Sequence, residues 1–535
     1  MLKFFKEITP KTIYGYFALL IVCFIASVNL LWIKNNEAPP TYDPSWYLEI
    51  SETLYHDLTD FGIIKFVDTF SESFRIKAPL VSVFPIPFYL IFGNTEKAAY
   101  LSLIICTFVL NYYLFKLTTL IKSEKAALLA VFIFNTFPLV IGLSRLFFVE
   151  YFLTAFVLAW FYYLLKSNFL EDKKIVTILG IILGFGLLLK VIFPLSIFAP
   201  TLYILYLKYK KDNNFTLLIW PCSKILLIGA LISSIWYVRN IFYILYFASS
   251  ASFGSLAKDY AVGSFFSITT HLNYLQNIIN YGISFYYFVL VLILLLFYLF
   301  VKKTKKLQKN KFYFLILYFF APFFIFIFGV NKDIRFLTPL LPAVAIMISM
   351  MFFQVFKKFK YQFIAFIILM VFPISQLMIV SFKRFPTLNY NLKNFIIISD
   401  KIGYAYRTSA EKWPIEVIVD YIYKDNIWNK KRALIAITPS IPQFNHNNFR
   451  FFCAMKNFRL LDFTGLPRDT EEEYFNRIEQ SDYIINFEDN ITAPDWLNKY
   501  NDNLQEKLKS KNFPYIKIEE FITKDNTIIN IYKRV

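Results

Sequence analysis

Long apolar runs separated by short basic clusters fill residues 13–381, and their spacing predicts eleven membrane-spanning helices. The first run, 13–32, is long enough to cross a hydrocarbon core of roughly 30 Å. It follows Lys3, Lys6 and Lys11 and ends in no small-residue cleavage site, so it reads as an uncleaved anchor with a cytoplasmic N-terminus. Further runs cover 98–117, 126–143, 151–165, 215–238, 283–301, 312–330, 336–356 and 363–381. The stretch 175–207 is too long for one helix and has lysine clusters at both ends, which implies an even number of passes. It divides into two short spans that turn near Lys190 and Pro194. The apolar piece PLVSVFPIPFYLIFG, 79–93, stays out of the count. Pro79, Pro85 and Pro87 would interrupt a spanning helix, so it is expected to lie at the outer interface.

From residue 383 the pattern changes. Charged residues become frequent, and ALIAITPS, YIINFED, YIKIEEFI and IINIYKRV read as short strands alternating with helices near 413–423 and 470–480. The expected fold is therefore a polytopic α-helical membrane protein with about 11 transmembrane helices and a C-terminal extracytoplasmic α/β domain. The membrane domain would occupy 1–382, with a first outer loop at 34–97, and the outer domain 383–535. An odd number of spans places that domain outside, in the cell (inner or plasma) membrane topology.

Composition supports this class. The 535 residues are 57% hydrophobic and 20% aromatic, more apolar than the roughly 45–50% of ordinary globular chains. The formal charge of +19 would suit nucleic acid, but the cations sit at the putative inner turns rather than on one stripe, so no nucleic-acid partner is expected. Cys23, Cys106, Cys222 and Cys453 are scattered with no disulfide or zinc spacing. The chain has no glycine-rich phosphate loop and no nucleophile elbow.

With the topology set, the ionisable residues Asp43, Arg75, Lys77, Arg145, Glu150, Lys190, Arg239, His271, Lys332, Asp333 and Arg335 all fall at the outer membrane surface. A fixed acid, Asp43, in a loop that also carries Arg75 and Lys77 suits chemistry on a lipid phosphate. Each residue also has a plain structural alternative. Asp43 could cap a helix starting at Pro44, and Glu150 could be a polar residue in a tight turn. Lys77 and Arg335 could touch anionic headgroups, and His271 could be a hydrogen-bonded structural histidine.

Several segments, in order, resemble a known family. TYDPSWY opens the first outer loop, and RIKAPLVSVFPIPFYLIFG, SRLFFVEYFLTAF, GLLLKVIFPL, WYVRN and KDIRFLTPLLP follow. Together, over about residues 10–345, they are similar to the polyprenyl-phosphate-dependent membrane glycosyltransferases of the GT-C fold. The nearest group is glycosyltransferase family 39, with its protein O-mannosyltransferases and bacterial aminoarabinose transferases. The chain departs from the family pattern at Glu150, where Asp is more usual, and at Leu189, where Thr usually precedes the lysine.

The resemblance implies sugar transfer from a polyprenyl-phosphate-linked donor to an acceptor hydroxyl of a lipid, glycan or protein at the outer face. It implies Asp43 as general base, and Glu150 as a second catalytic residue that orients the acceptor or helps hold a divalent cation. Lys77 and Arg335, backed by Arg145 and Lys190, would bind the donor phosphate, and His271 is a candidate acceptor or metal contact. The competing class is a lipid-linked substrate transporter or flippase, which would be expected to carry charges at mid-membrane and repeated broken helices.

Overall fold

The computed structural model describes residues 12–254, 257, 267–300, 309–427, 431–467, 470–487, 498–510, 513–523 and 526–535. Lys3, Lys6, Lys11 and most of the basic stretch 302–311 lie outside the described residues. The chain folds as two compact units. The first comprises Met1–Lys34, Ser71–Val81 and Tyr100–Arg407. The second comprises Asn35–Phe70, Ser82–Ala99 and Thr408–Val535.

In the first unit every apolar run forms helix. Among the described residues, seven helices are long and apolar enough to cross a membrane, and a bent pair at 268–297 makes eight. The other three of the eleven expected segments depart from a simple span. The segment 124–143 breaks into Glu124–Asn135 and Pro138–Leu143, because Phe137, the residue before a proline, is extended (φ −67°, ψ 132°). Lys173–Leu189 has only 17 residues, and Phe193–Asp212 contains Pro200 and ends on Lys210, Lys211 and Asp212. The run expected to stop at 238 continues as Thr216–Phe253, fifteen residues further.

Close packing in this unit depends on small residues. A Cβ on Gly180 or Gly184 would stand 2.8 or 2.6 Å from the Cβ of Ile228 or Ile232, so only glycine lets Lys173–Leu189 lie directly against Thr216–Phe253. Leu226, Leu231, Val238 and Phe242 of the long helix remain exposed, as an apolar solvent permits.

The second unit contains a five-stranded sheet ordered 461–464, 433–438, 483–487, 528–534, 515–522. The first three strands are parallel, and the last two add antiparallel pairings. Alternate side chains serve two cores. Tyr483, Ile485 and Phe487 pack with Ile418, Ile422 and Phe449 on one face, while Ile484 meets Phe475, Ile478 and Leu504 on the other. Both faces are thus covered by helices, as the near-continuous apolar strands require. The helices expected at 413–423 and 470–480 are Ile415–Asn426 and Glu471–Glu479.

Most of the first outer loop, Asn35–Phe70 and Ser82–Ala99, belongs to this same unit. Tyr42–His56 packs on His446–Met455, where Asn448 donates to the Pro40 carbonyl and, at 2.8 Å, to Ser45 Oγ. Residues 80–92 form a short 3-10 turn and the seven-residue helix Ile86–Phe92. Leu90, Ile91 and Phe92 are exposed there, as are Ile63 and Ile64 of Ile63–Glu72, which suits an interfacial position.

Two acids in Tyr42–His56 are buried. Glu52 is fully buried, and neither carboxylate oxygen has a hydrogen-bond partner among the described residues. Burial raises its pKa to about 8, with Tyr89 and Asn94 near enough to pull it back only in part. Glu49 rises to about 7, again through burial, against the lowering effect of Arg450. Between the ordinary carboxyl value and these raised values, the folded chain keeps protons that the unfolded chain has lost. Stability therefore falls as pH rises through that window and levels off above about 8. The melting temperature in detergent is expected to drop between pH 5 and pH 8.5, and Glu52→Gln to flatten the profile. An unchanged profile in that variant removes Glu52 as the cause.

Candidate functional site

Three helix ends in the first unit bring opposite charges together. Phe148 is extended, so Val149–Lys166 starts just after it, with Glu150 in the first turn and 2% exposed. Lys173–Leu189 ends where Lys190 turns extended (φ −156°, ψ 132°), and Lys190 Nζ lies 2.5 Å from Glu150 Oε1. The 3-10 turn Ile334–Leu340 is capped by Asp333, whose carboxylate accepts from the Arg335 backbone N–H at 3.0 Å. The Arg335 Nε is 2.8 Å from Asp333 Oδ2 and 3.8 Å from Glu150 Oε1.

Aromatic faces complete this cluster. The Lys190 ammonium lies 4.4 Å from the Phe336 ring centre, and the Arg335 guanidinium 4.8 Å from that of Phe148. Tyr404 donates to Asp333, its hydroxyl 3.0 and 3.1 Å from the two carboxylate oxygens. Burial first, and the Asp333 charge second, hold the Tyr404 proton well above the usual phenol range. Glycine positions this tyrosine, since a Cβ on Gly142 would come within 2.5 Å of the Tyr404 carbonyl carbon. Glu150 Oε2 is buried and has no hydrogen-bond partner among the described residues.

Lys77 sits at the end of a strained bend, with Phe74 and Arg75 both at positive φ (59° and 58°). The WYVRN segment of the long helix secures that bend. Trp236 Nε1 donates to the Ser73 carbonyl at 3.0 Å, Asn240 to the Ser71 carbonyl at 2.7 Å, and Arg239 to Ser71 Oγ at 2.8 Å. Arg75 extends to the Tyr243 hydroxyl, 3.2 Å away.

Arg145 has a different set of partners. It is 1% exposed and donates to Asn29 Oδ1 at 2.8 Å and Ser381 Oγ at 2.6 Å, with the Trp32 ring beside it. These contacts tie the first span to the last. His271, on Ile268–Asn277, meets the Phe328 ring edge-on at 5.6 Å. Among the described residues no three His, Cys, Asp or Glu side chains gather as a metal site, and Glu150 and Asp333 are each already met by a cation.

Asp43 belongs to the second unit. Its helix begins at Tyr42, with Thr41 at the N-cap position making no side-chain cap bond. Asp43 therefore lies within the first turn and does not cap a helix starting at Pro44. Its charge favours the helix N-terminus from there.

Residues 77–237 match the family model described as dolichyl-phosphate-mannose-protein mannosyltransferase. No curated protein matches the chain by sequence. Among solved structures, ArnT from Cupriavidus metallidurans bound to undecaprenyl phosphate aligns over 97% of this chain and 98% of its own. The TM-score is 0.55 at 10% identity. The fold is GT-C. The archaeal oligosaccharyltransferase AglB from Archaeoglobus fulgidus, in complex with an inhibitory peptide and a dolichol-phosphate, aligns over 96% of this chain and 74% of its own. Its TM-score is 0.53 at 12% identity. The resemblance read from TYDPSWY to KDIRFLTPLLP is thereby borne out, and the GT-C chain is a multi-span membrane protein.

Asp333 and Tyr404 carry more of this site than the sequence suggests. Along the chain Asp333 is one outer charge among many, and Tyr404 lies in GYAYR, within the stretch assigned to the outer domain. The local signal at GYAYR is Gly403, which adopts positive φ (58°).

Proposed function

We propose that this chain is an integral-membrane glycosyltransferase that moves a sugar from a polyprenyl phosphate to an acceptor hydroxyl of a lipid, glycan or protein at the outer face. The observation that carries the proposal is the cluster in which Lys190 and Arg335, 19% and 15% exposed, flank Glu150 at helix ends. The solved structures of similar fold support the donor class, since ArnT is bound to undecaprenyl phosphate and AglB to a dolichol-phosphate.

In this mechanism Asp43 takes the acceptor proton as the acceptor oxygen bonds to the anomeric carbon. The bond from that carbon to the phosphate oxygen breaks, and polyprenyl phosphate leaves with the electron pair. Lys77 and Arg335 stabilise the charge growing on the phosphate, supported by Lys190. Arg335 presents a planar fork held by Asp333, and Lys77 a point charge. Glu150 sets the positions of Lys190 and Arg335.

Radiolabelled polyprenyl-phosphate sugar presented to right-side-out vesicles, with a panel of envelope acceptors, tests this. Lys77→Ala and Arg335→Ala are each expected to weaken donor use by about 2–5 kcal/mol. Unaltered donor kinetics in both variants reduces these cations to headgroup contacts. A wild type that moves the lipid across the bilayer without transferring sugar makes the chain a flippase.

A further inference from the structure

Within the second unit, the face of Tyr42–His56 that bears Glu49 and His56 borders a cavity of about 380 Å³, walled also by His446–Met455 and Leu461–Thr464. Three guanidinium–carboxylate pairs line it. Arg450 lies 2.8 Å from Glu49, Arg459 3.1 Å from Asp57, and Arg432 3.2 Å from Asp462. In every pair the carboxylate is the more buried partner, at 10%, 3% and 36% against 39%, 48% and 69% for the arginines.

That asymmetry sets the chemistry of the cavity. A carboxylate that accepts one or two bonds leaves most of a guanidinium's five donors unused. Arg450, Arg459 and Arg432 therefore keep unused donors at the cavity lining, Arg459 also donating from Nε to Asn457 Oδ1 at 2.8 Å. Lys65 adds a further cation to the lining. Glu49 is 7% exposed, yet its Oε2 has no hydrogen-bond partner among the described residues, and the same holds for His56 Nε2. Both atoms belong to residues lining this space, and a buried polar atom is normally hydrogen-bonded. The volume falls in the range of small-ligand pockets.

We propose that this cavity binds an acidic sugar, its phosphate or carboxylate held by the arginines and its hydroxyls by Glu49 and His56. Asp43, on the same helix, is not among the lining residues, so the site is separate from the transfer chemistry proposed above and stands whether or not that reading holds.

Purified full-length protein in detergent, titrated with glucose 6-phosphate, glucuronate, glucose and inorganic phosphate, tests the proposal by saturation-transfer NMR and calorimetry. At least one acidic sugar is expected to bind saturably, and glucose and inorganic phosphate much more weakly. Arg432→Gln, at the most exposed of the three pairs, is expected to lower that affinity roughly tenfold. The double substitution Glu49→Gln with Arg450→Gln removes both members of a pair, leaves no unpaired charge, and is expected to abolish binding. Asp43→Asn is expected to bind as the wild type does. Glucose binding as tightly as the acidic sugars, inorganic phosphate matching the sugar phosphate, affinity untouched by Arg432→Gln, or no saturable binding of either acidic sugar would each overturn the assignment.

Discussion

Asp43→Asn is expected to yield a protein that folds and takes up the lipid-linked donor but transfers sugar about 10²–10⁴-fold more slowly. The substitution keeps the side chain's size and removes only its capacity to accept a proton. Because Thr41 occupies the N-cap position and Asp43 the first turn, loss of its charge removes a charge–dipole interaction of about 0.3–1 kcal/mol. Rate and stability should thus respond on different scales. Single-turnover transfer measured beside thermal unfolding in detergent separates them. If transfer stays near normal while stability slips slightly, Asp43 only stabilises its helix, and the base is to be sought at Glu150.

Lys190→Met is expected to be the costliest single change in the first unit. It leaves Glu150, 2% exposed, with Arg335 at 3.8 Å as its remaining cation. Removing one member of a buried pair typically costs about 3–5 kcal/mol, because the other charge stays behind uncompensated. Glu150→Gln should cost less, since Lys190 retains some exposure and the Phe336 face. The double variant should recover most of the loss. Unfolding in mixed micelles provides the cycle, and a double variant as unstable as Lys190→Met alone would show that the two residues are not coupled.

Much of the architecture is legible in the sequence because membrane helices announce themselves by length and by lysines at their ends. The interfacial assignment of 79–93 rests on three prolines, and the short helix there follows from them. The near-continuous apolar strands ALIAITPS and YIINFED are likewise plain, since each splits its side chains between two cores. Other features are harder to read from the local sequence. The break at Phe137 depends on a single proline inside an apolar run. The grouping of Glu150, Lys190 and Arg335 is visible only as a shared side of the membrane, because ion pairing across 40 or more positions leaves no periodicity. Tyr404 reaches Asp333 across 71 positions, and nothing in GYAYR indicates which acid it will meet. WYVRN stands out as a motif, but its hold on residues 71–73 emerges only in the fold.

The bond from Asn448 to Ser45 joins positions 403 apart, and this has a consequence for synthesis. At about 5–20 residues per second, the helix Tyr42–His56 is made roughly 20–80 s before the helix it packs on. During that interval the chain carries Glu49 and Ser45, both buried in the finished protein, without the helix whose Arg450 and Asn448 meet them. The nascent first loop is thus the long-lived incomplete part of this molecule, and the last quarter of the chain ends its wait.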